Sequence, residues 1–246
     1  MTDKRPPLGI TMGDPAGVGP ELCLRLLGHQ ESLDACLPVI FGDSAVLNRV
    51  ASILGLDFPI RCLSLREWET GNTGLGEPVV IDLPSSDLDY MQPGRVDSQT
   101  GAASYRFIEA AIDAALNRRI AAVVTAPINK EALRAAGIQQ PGHTEIFAEK
   151  TGSTRSCMML TSDELTCSFV TTHIGYRDVP AALSIERIWE VLDLSHKAMK
   201  RLRGRTPKVA VCGLNPHAGE HGLLATEKRR TSFSPQSNPR DSREST

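Results

Sequence analysis

Strand-like and helix-like segments alternate along most of this 246-residue chain. Short apolar runs such as Leu8–Met12 and Leu37–Phe41 each lead, through a polar turn, into a segment with apolar residues at helical spacing. The clearest helical pattern begins at Ser98, and the apolar run 121–127 follows it as a predicted buried strand. Such alternation is typical of α/β proteins, because crossover helices cover the faces of a parallel sheet. The sequence therefore predicts an α/β fold with a mainly parallel sheet.

The later part of the chain adds other elements. Residues 157–160 and 167–172 flank a polar turn, and this pattern predicts a β-hairpin with antiparallel strands. A long helix is predicted at about 184–203, and a last strand at 208–214. Between 56 and 100, prolines and glycines interrupt the pattern, and only Pro78–Leu83 resembles a strand.

Two domains are predicted from this organisation. The first spans residues 1–136, and the second, which is incomplete, spans about 137–220. Residues 221–246 differ in composition, since polar and charged residues dominate them. Such a segment cannot bury enough apolar surface to offset the entropy lost on ordering, so we predict that it is disordered.

Composition and charge exclude several classes of function. A net charge of -2 and an aromatic content of 4% argue against a nucleic-acid binder. No apolar stretch approaches the length of a membrane span, and the first residues lack the apolar core of a signal peptide. The six cysteines form no CxxC pair, which is expected of reduced thiols in a cytosol. We therefore expect a cytoplasmic protein without a nucleic-acid or membrane partner.

Three of the six histidines lie where predicted strands end in polar loops, namely His143 in PGHTE, His173 in TTHIGYRD and His217 in NPHAGE. Strand ends are where α/β proteins bind ligands, and imidazole both carries protons and ligates metal ions. His143 and Thr144 together can bind a phosphate or a carboxylate, and Thr144 also fits a helix cap. His173 and His217 make an incomplete metal site, because zinc normally takes three protein ligands. A lone loop histidine is more often solvated than bound to metal, and the NPHAGE context makes the two interpretations equally compatible with the sequence.

Two further segments are open to a structural or a functional interpretation. The glycine-rich segment GDPAGVGPE opens a helix and suits an anion, but it matches no standard nucleotide motif. A tight structural turn explains it equally well. TAPINK places Thr125 and Lys130 at a strand end, although position alone favours a solvated lysine in a first helical turn.

Six motifs occur in one order: TMGDPAGVGPE, GRVDSQTG, TAPINK, PGHTE, TTHIGYRD and GLNPHAGE. Together they resemble the 4-hydroxythreonine-4-phosphate dehydrogenase family over about residues 8–224. The resemblance implies a homodimer of two-domain subunits that fold like isocitrate and isopropylmalate dehydrogenases. It further implies oxidation of 4-phosphooxy-L-threonine by NAD or NADP in pyridoxal phosphate biosynthesis. A divalent metal (Zn, Mg or Co) would assist, and the β-keto acid product would lose carbon dioxide.

The resemblance also assigns roles to four residues. His143 and Thr144 match the family's substrate-binding pair, whereas His173 and His217 match two of its metal ligands. It assigns no catalytic residue and no residue that binds the nicotinamide cofactor.

The sequence departs from the family after Leu224, where the segment with a third metal histidine, in a YHDQG motif, is replaced by the polar tail. We therefore expect a C-terminally truncated or frameshifted member that binds zinc weakly. Two other interpretations stay open. One is a relative that oxidises phosphorylated threonate or erythronate, which Gly175 and Tyr176 favour because the family more often has proline and leucine there. The other is an inactive fragment.

Overall fold

The computed structural model describes residues 5–71, 76–85 and 91–214. It forms two compact units that divide between Ser153 and Thr154. None of the described helices is long and apolar enough to cross a membrane.

Several sequence predictions concern residues outside the described ranges. His217, the NPHAGE loop and the predicted tail 221–246 all lie there. The domain bounds expected from the sequence, 1–136 and 137–220, stay predictions.

A parallel sheet forms the centre of the first unit, with the strand order β3-β4-β2-β1-β5. Every neighbouring pair is parallel, so the carboxyl ends of all five strands lie at the same edge. The predicted α/β fold with a mainly parallel sheet is therefore confirmed. The strands are β1 (Pro7–Thr11), β2 (Leu37–Gly42), β3 (Arg61–Ser64), β4 (Val79–Asp82) and β5 (Ala122–Thr125).

Helices connect these strands and cover the sheet. All six residues of the central strand β2 are buried, which explains why its sequence is apolar throughout rather than alternating. Phe41 in β2 and Phe107 in a covering helix are fully buried in the same core. The helices are α1 (Gly19–Leu27), α2 (Gln30–Ala35), α3 (Ser44–Leu54), α4 (Leu65–Thr70), α5 (Ser98–Leu116), α6 (Lys130–Ala135) and α7 (His143–Thr151).

Strand β5 lies at an edge of the sheet, and the prediction that it is buried is wrong. Among the described residues only β1 pairs with it, and Val124 is 50% exposed. An apolar run shows that a segment can be buried, but the number of neighbouring strands decides whether it is.

Strand β3 and helix α4 were not predicted, although one local signal for them is present. Ser64 and Glu67 form a capping box, in which the Ser64 hydroxyl accepts from the Glu67 amide and the Glu67 carboxylate accepts from the Ser64 amide. The strand has only four residues, and three of them are exposed, so it carries no readable apolar alternation.

The second unit contains a β-hairpin and a long helix, as predicted. Strands β6 (Met158–Thr161) and β7 (Thr166–Phe169) are antiparallel, and α9 (Ile185–Arg203) begins after the cap Ser184. Between them lie a 3-10 turn at Tyr176–Asp178 and the short helix α8 (Val179–Ala182).

The last predicted strand, at 208–214, is wrong, since the structure has no strand there. Val209 and Val211 are each 50% exposed. A single extended segment is not a strand until another strand pairs with it, and no described strand does so here.

Candidate functional site

The glycine-rich loop after β1 packs directly on the loop after β5. The Asp14 amide donates to the carbonyl of Pro127 at 2.9 Å, and Gly13 has φ +73°. A Cβ atom on Gly13 would lie 2.3 Å from that carbonyl oxygen, and one on Gly19 would lie 1.8 Å from the carbonyl oxygen of Met12. These glycines therefore allow a close approach of backbone to backbone that no larger residue permits.

A cleft of about 530 Å³ opens beside these loops in the first unit. The GRVD segment joins it, because the Gly94 amide donates to the carbonyl of Ala16 at 2.8 Å. Three of the six sequence motifs thus meet at the carboxyl edge of the sheet. The charged and polar residues that line the cleft are Asp14, Arg95, Asn129, Lys130 and Glu131.

Asp14 is the most buried of these charged residues, at 5% exposure. Its Oδ1 accepts from the amide of Ala16 at 2.9 Å, which fixes the turn of the glycine-rich loop. Neither Asp14 nor Arg95 carries a local sequence signal of ligand binding.

His143 is the first residue of α7, and Gly142 is the cap. The alternative role of Thr144 as the helix cap is therefore wrong, because the helix begins one residue before it. Gly142 has no side chain with which to cap the first amides. Thr144 is exposed, and the Nε2 atom of His143 is buried without a hydrogen-bond partner among the described residues.

Lys130, the first residue of α6, lies beside His143. Partial burial lowers the pKa of the His143 imidazole, and the positive charge of Lys130 lowers it further. The TAPINK and PGHTE loops are thus neighbours, and His143 favours its neutral form.

This lowered pKa predicts a pH dependence of stability. The unfolded chain protonates His143 near its usual pKa of 6.5, whereas the folded chain resists protonation. The free energy of unfolding should therefore fall as the pH drops below about 6.5, until the folded imidazole is protonated too. Urea unfolding of the wild-type chain and of His143→Gln at several pH values measures the effect. An identical pH dependence in both would contradict the prediction.

His173 lies in the second unit, in a loop after β7. It is exposed and has φ +59°, an uncommon conformation for a residue other than glycine. Across the described ranges no group of three or more His, Cys, Asp or Glu side chains could hold a metal ion. The described residues therefore do not make up a complete metal site, and the pairing of His173 with His217 stays a prediction.

An open parallel sheet with a polar cleft at the carboxyl ends of its strands is the arrangement of an α/β ligand-binding protein or enzyme. The sequence profile of the family described as pyridoxal phosphate biosynthetic protein PdxA matches residues 34–232. The chain belongs to this PdxA family, and its relatives are dehydrogenases.

Two curated relatives show the range of names in this family. The 4-hydroxythreonine-4-phosphate dehydrogenase of Desulfosudis oleivorans is 39% identical over 231 residues, which cover 93% of this chain and 67% of the relative. The D-threonate 4-phosphate dehydrogenase of Cupriavidus necator is 35% identical over 224 residues, which cover 91% and 66%. The chain thus spans about two thirds of the length of these relatives.

A solved structure agrees with the family. The crystal structure of 4-hydroxythreonine-4-phosphate dehydrogenase from Klebsiella pneumoniae matches with a TM-score of 0.78 at 35% identity. The match covers 92% of this chain and 69% of that one.

Proposed function

We propose that this chain oxidises the C3 hydroxyl of a four-carbon hydroxy acid that carries a phosphate on C4. Membership of the PdxA family supports the reaction class. The observation that carries the proposal is the meeting of the glycine-rich, GRVD and TAPINK motifs at the carboxyl edge of the sheet, with His143 of the PGHTE motif close to Lys130 of TAPINK. Ligands of open α/β sheets bind at this edge.

His143 and Thr144 are the residues that we propose for substrate binding. The Nε2 atom of His143 has no partner among the described residues, and α7 presents first-turn amides that no side chain caps. An anionic oxygen of the substrate would accept hydrogen bonds from these groups. This contact would orient the substrate, and no residue is assigned as the base.

NAD or NADP would accept the hydride from C3 when bound. Oxidation at C3 gives a β-keto acid, and such an acid readily loses carbon dioxide from C1. With 4-phosphooxy-L-threonine, the products would be 2-amino-3-oxo-4-phosphooxybutanoate and then 3-amino-2-oxopropyl phosphate. We assign no step to a metal ion, because the described residues do not form a complete site. His173 and His217 remain the ligands that we propose for one.

D-threonate 4-phosphate is the second candidate substrate. The relative from Cupriavidus necator carries this name, and the two substrates differ in the group on C2, which is an amine in one and a hydroxyl in the other. The phosphate and the C3 hydroxyl are common to both, so the same binding groups serve either. By resemblance we also propose a homodimer, which sedimentation of the purified chain would test.

The proposed function predicts NADH or NADPH formation with at least one of the two substrates. We expect His143→Ala to lower kcat/KM by about tenfold to a hundredfold, because a hydrogen bond to a charged group is lost. His29→Ala is the matched control, since His29 is an exposed histidine at the start of α2. Absorbance at the nicotinamide band measures the rate. No turnover of either substrate by the full chain, with zinc or magnesium present, would contradict the proposal.

A further inference from the structure

Lys130 differs from two other lysines of the chain in that it lacks a carboxylate partner. Lys150 pairs with Glu109, and Lys197 pairs with Asp193 at 2.8 Å. The side chain of Lys130 makes no salt bridge or hydrogen bond with any other residue that the structure describes. Its ammonium group is therefore free to bind a ligand.

The Lys130 side chain lies close to the start of α7. A Cβ atom built on Gly142 would lie 3.7 Å from the Cε atom of Lys130, so the lysine side chain passes next to the helix cap. Glu145 is the nearest carboxylate to this point, at 3.4 Å from the same Cβ position, and Glu131 lines the adjoining cleft. Neither pairs with Lys130, although both would limit the excess of positive charge.

Three groups that bind anions thus converge. These are the free ammonium group of Lys130, the buried and unpartnered Nε2 of His143, and the uncapped amides at the start of α7. Partial burial lowers the pKa of His143, and the positive charge of the nearby Lys130 lowers it further, because a cation close to an imidazole opposes protonation of that imidazole. An anion bound between them would remove this repulsion.

We propose that Lys130 binds the phosphate group of the substrate, next to His143 and the first-turn amides of α7. A phosphate monoester fits better than a carboxylate, since it offers three terminal oxygens for three kinds of donor. The choice of phosphate rests on the proposed function, whereas the anion site itself rests on the geometry. Lys130 therefore joins the substrate site to the polar cleft that it also lines.

Phosphate binding tests the inference without any turnover. Inorganic phosphate is titrated into the full chain, and the Cε1–H resonance of His143, assigned with His143→Gln, reports binding. Lys130→Met should weaken binding about tenfold, because it removes a charged donor but keeps most of the side-chain volume. Lys130→Arg should retain most of the affinity.

Arg134→Met is the matched control. Arg134 is an exposed cation one turn further along the same helix, so its loss changes the net charge equally. We expect the affinity of Arg134→Met for phosphate to be unchanged. A second measurement is the pKa of His143, which should rise in Lys130→Met but not in Arg134→Met.

Several outcomes would overturn the inference. They are a wild-type chain that does not respond to phosphate, equal affinities in wild type and Lys130→Met, and equal losses in Lys130→Met and Arg134→Met. Unphosphorylated threonate carries the carboxylate of the substrate but not its phosphate. A loss of threonate binding in Lys130→Met would therefore assign the lysine to the carboxylate instead. A Lys130→Met chain that fails to fold would show that Lys130 stabilises the fold, and would overturn its role in ligand binding. An inactive chain that still binds phosphate through Lys130 would contradict the proposed function and leave this inference standing.

Discussion

Replacing Gly101 with alanine is expected to lower the free energy of unfolding by about 3 kcal/mol. Gly101 is buried in the first turn of α5, where this helix packs on α6. A Cβ atom there would lie 2.1 Å from the carbonyl oxygen of Ala132 and 2.3 Å from its carbonyl carbon. Alanine favours a helix over glycine by about 1 kcal/mol, but the clash is with backbone and cannot be relieved by a rotamer change. The clash therefore outweighs the gain in helix propensity, and the substitution lowers the free energy of unfolding.

Chemical unfolding and thermal melts would measure this loss, with Gly28→Ala as the control. Gly28 ends α1 with φ -95°, and a Cβ atom there would meet only the carbonyl oxygen of Arg25, at 3.7 Å. We expect its stability to change by less than about 1 kcal/mol, as is usual for a substitution that meets no close contact. Equal effects at the two glycines would show that α5 and α6 can separate at little cost. Because Lys130 begins α6, Gly101→Ala should also weaken phosphate binding.

Asp43→Ala should be about as destabilising, at roughly 3 kcal/mol. Asp43 is 2% exposed and caps α3, since its Oδ1 accepts from the amides of Ala45 and Val46 at 2.9 and 3.2 Å. Its Oδ2 accepts from the amide of Ser85, which follows the neighbouring strand β4. Alanine would leave three backbone amides without this acceptor. The cap contributes about 1–2 kcal/mol and the third amide a similar amount.

Two further variants separate the contribution of the helix cap from that of the hydrogen bond to Ser85. Asp43→Asn keeps one oxygen for the cap but turns an N–H toward the Ser85 amide, so we expect about half of the loss. Asp97→Ala removes a simpler cap, which accepts from the Gln99 amide alone, and should cost about 1 kcal/mol. Urea midpoints compare all three. A loss at Asp43 no larger than that at Asp97 would show that the link to Ser85 contributes nothing.

Local chemistry made much of the fold predictable. Asn129 caps α6, as asparagine before a helical segment commonly does, and Gly55 ends α3 in the left-handed conformation expected of a C-terminal glycine. Asp43 and Ser44 are adjacent residues that could each cap α3, and the structure uses Asp43. Both residues are good caps, and only Asp43 also reaches a neighbouring loop, at Ser85. Such a choice depends on contacts between distant segments.

The sequence likewise predicted some features of the candidate site, and the tertiary structure decided the others. The sequence marked His143 as a ligand-binding residue, and the motif order pointed to the family. The expectation that His143 follows a strand is wrong, because it begins α7 after α6 and a loop. The sequence favoured a solvated Lys130, because a lysine in a first helical turn usually faces water. Lys130 is exposed, as expected, and it also lines the cleft close to His143. Lys130 and His143 lie 13 positions apart, at the starts of α6 and α7, so their proximity follows from the path of the chain.

The sequence by itself thus determined the alternation of strands and helices, the parallel sheet, the hairpin and the histidines of interest, since each depends on residues close together in the chain. Only the tertiary structure decided that β5 lies at an edge, that 208–214 forms no strand, and that Lys130 lies beside His143. Strand neighbours, burial and charge proximity arise when distant segments pack together. A local pattern gives the capacity for these contacts, but the packed backbone selects which of them form.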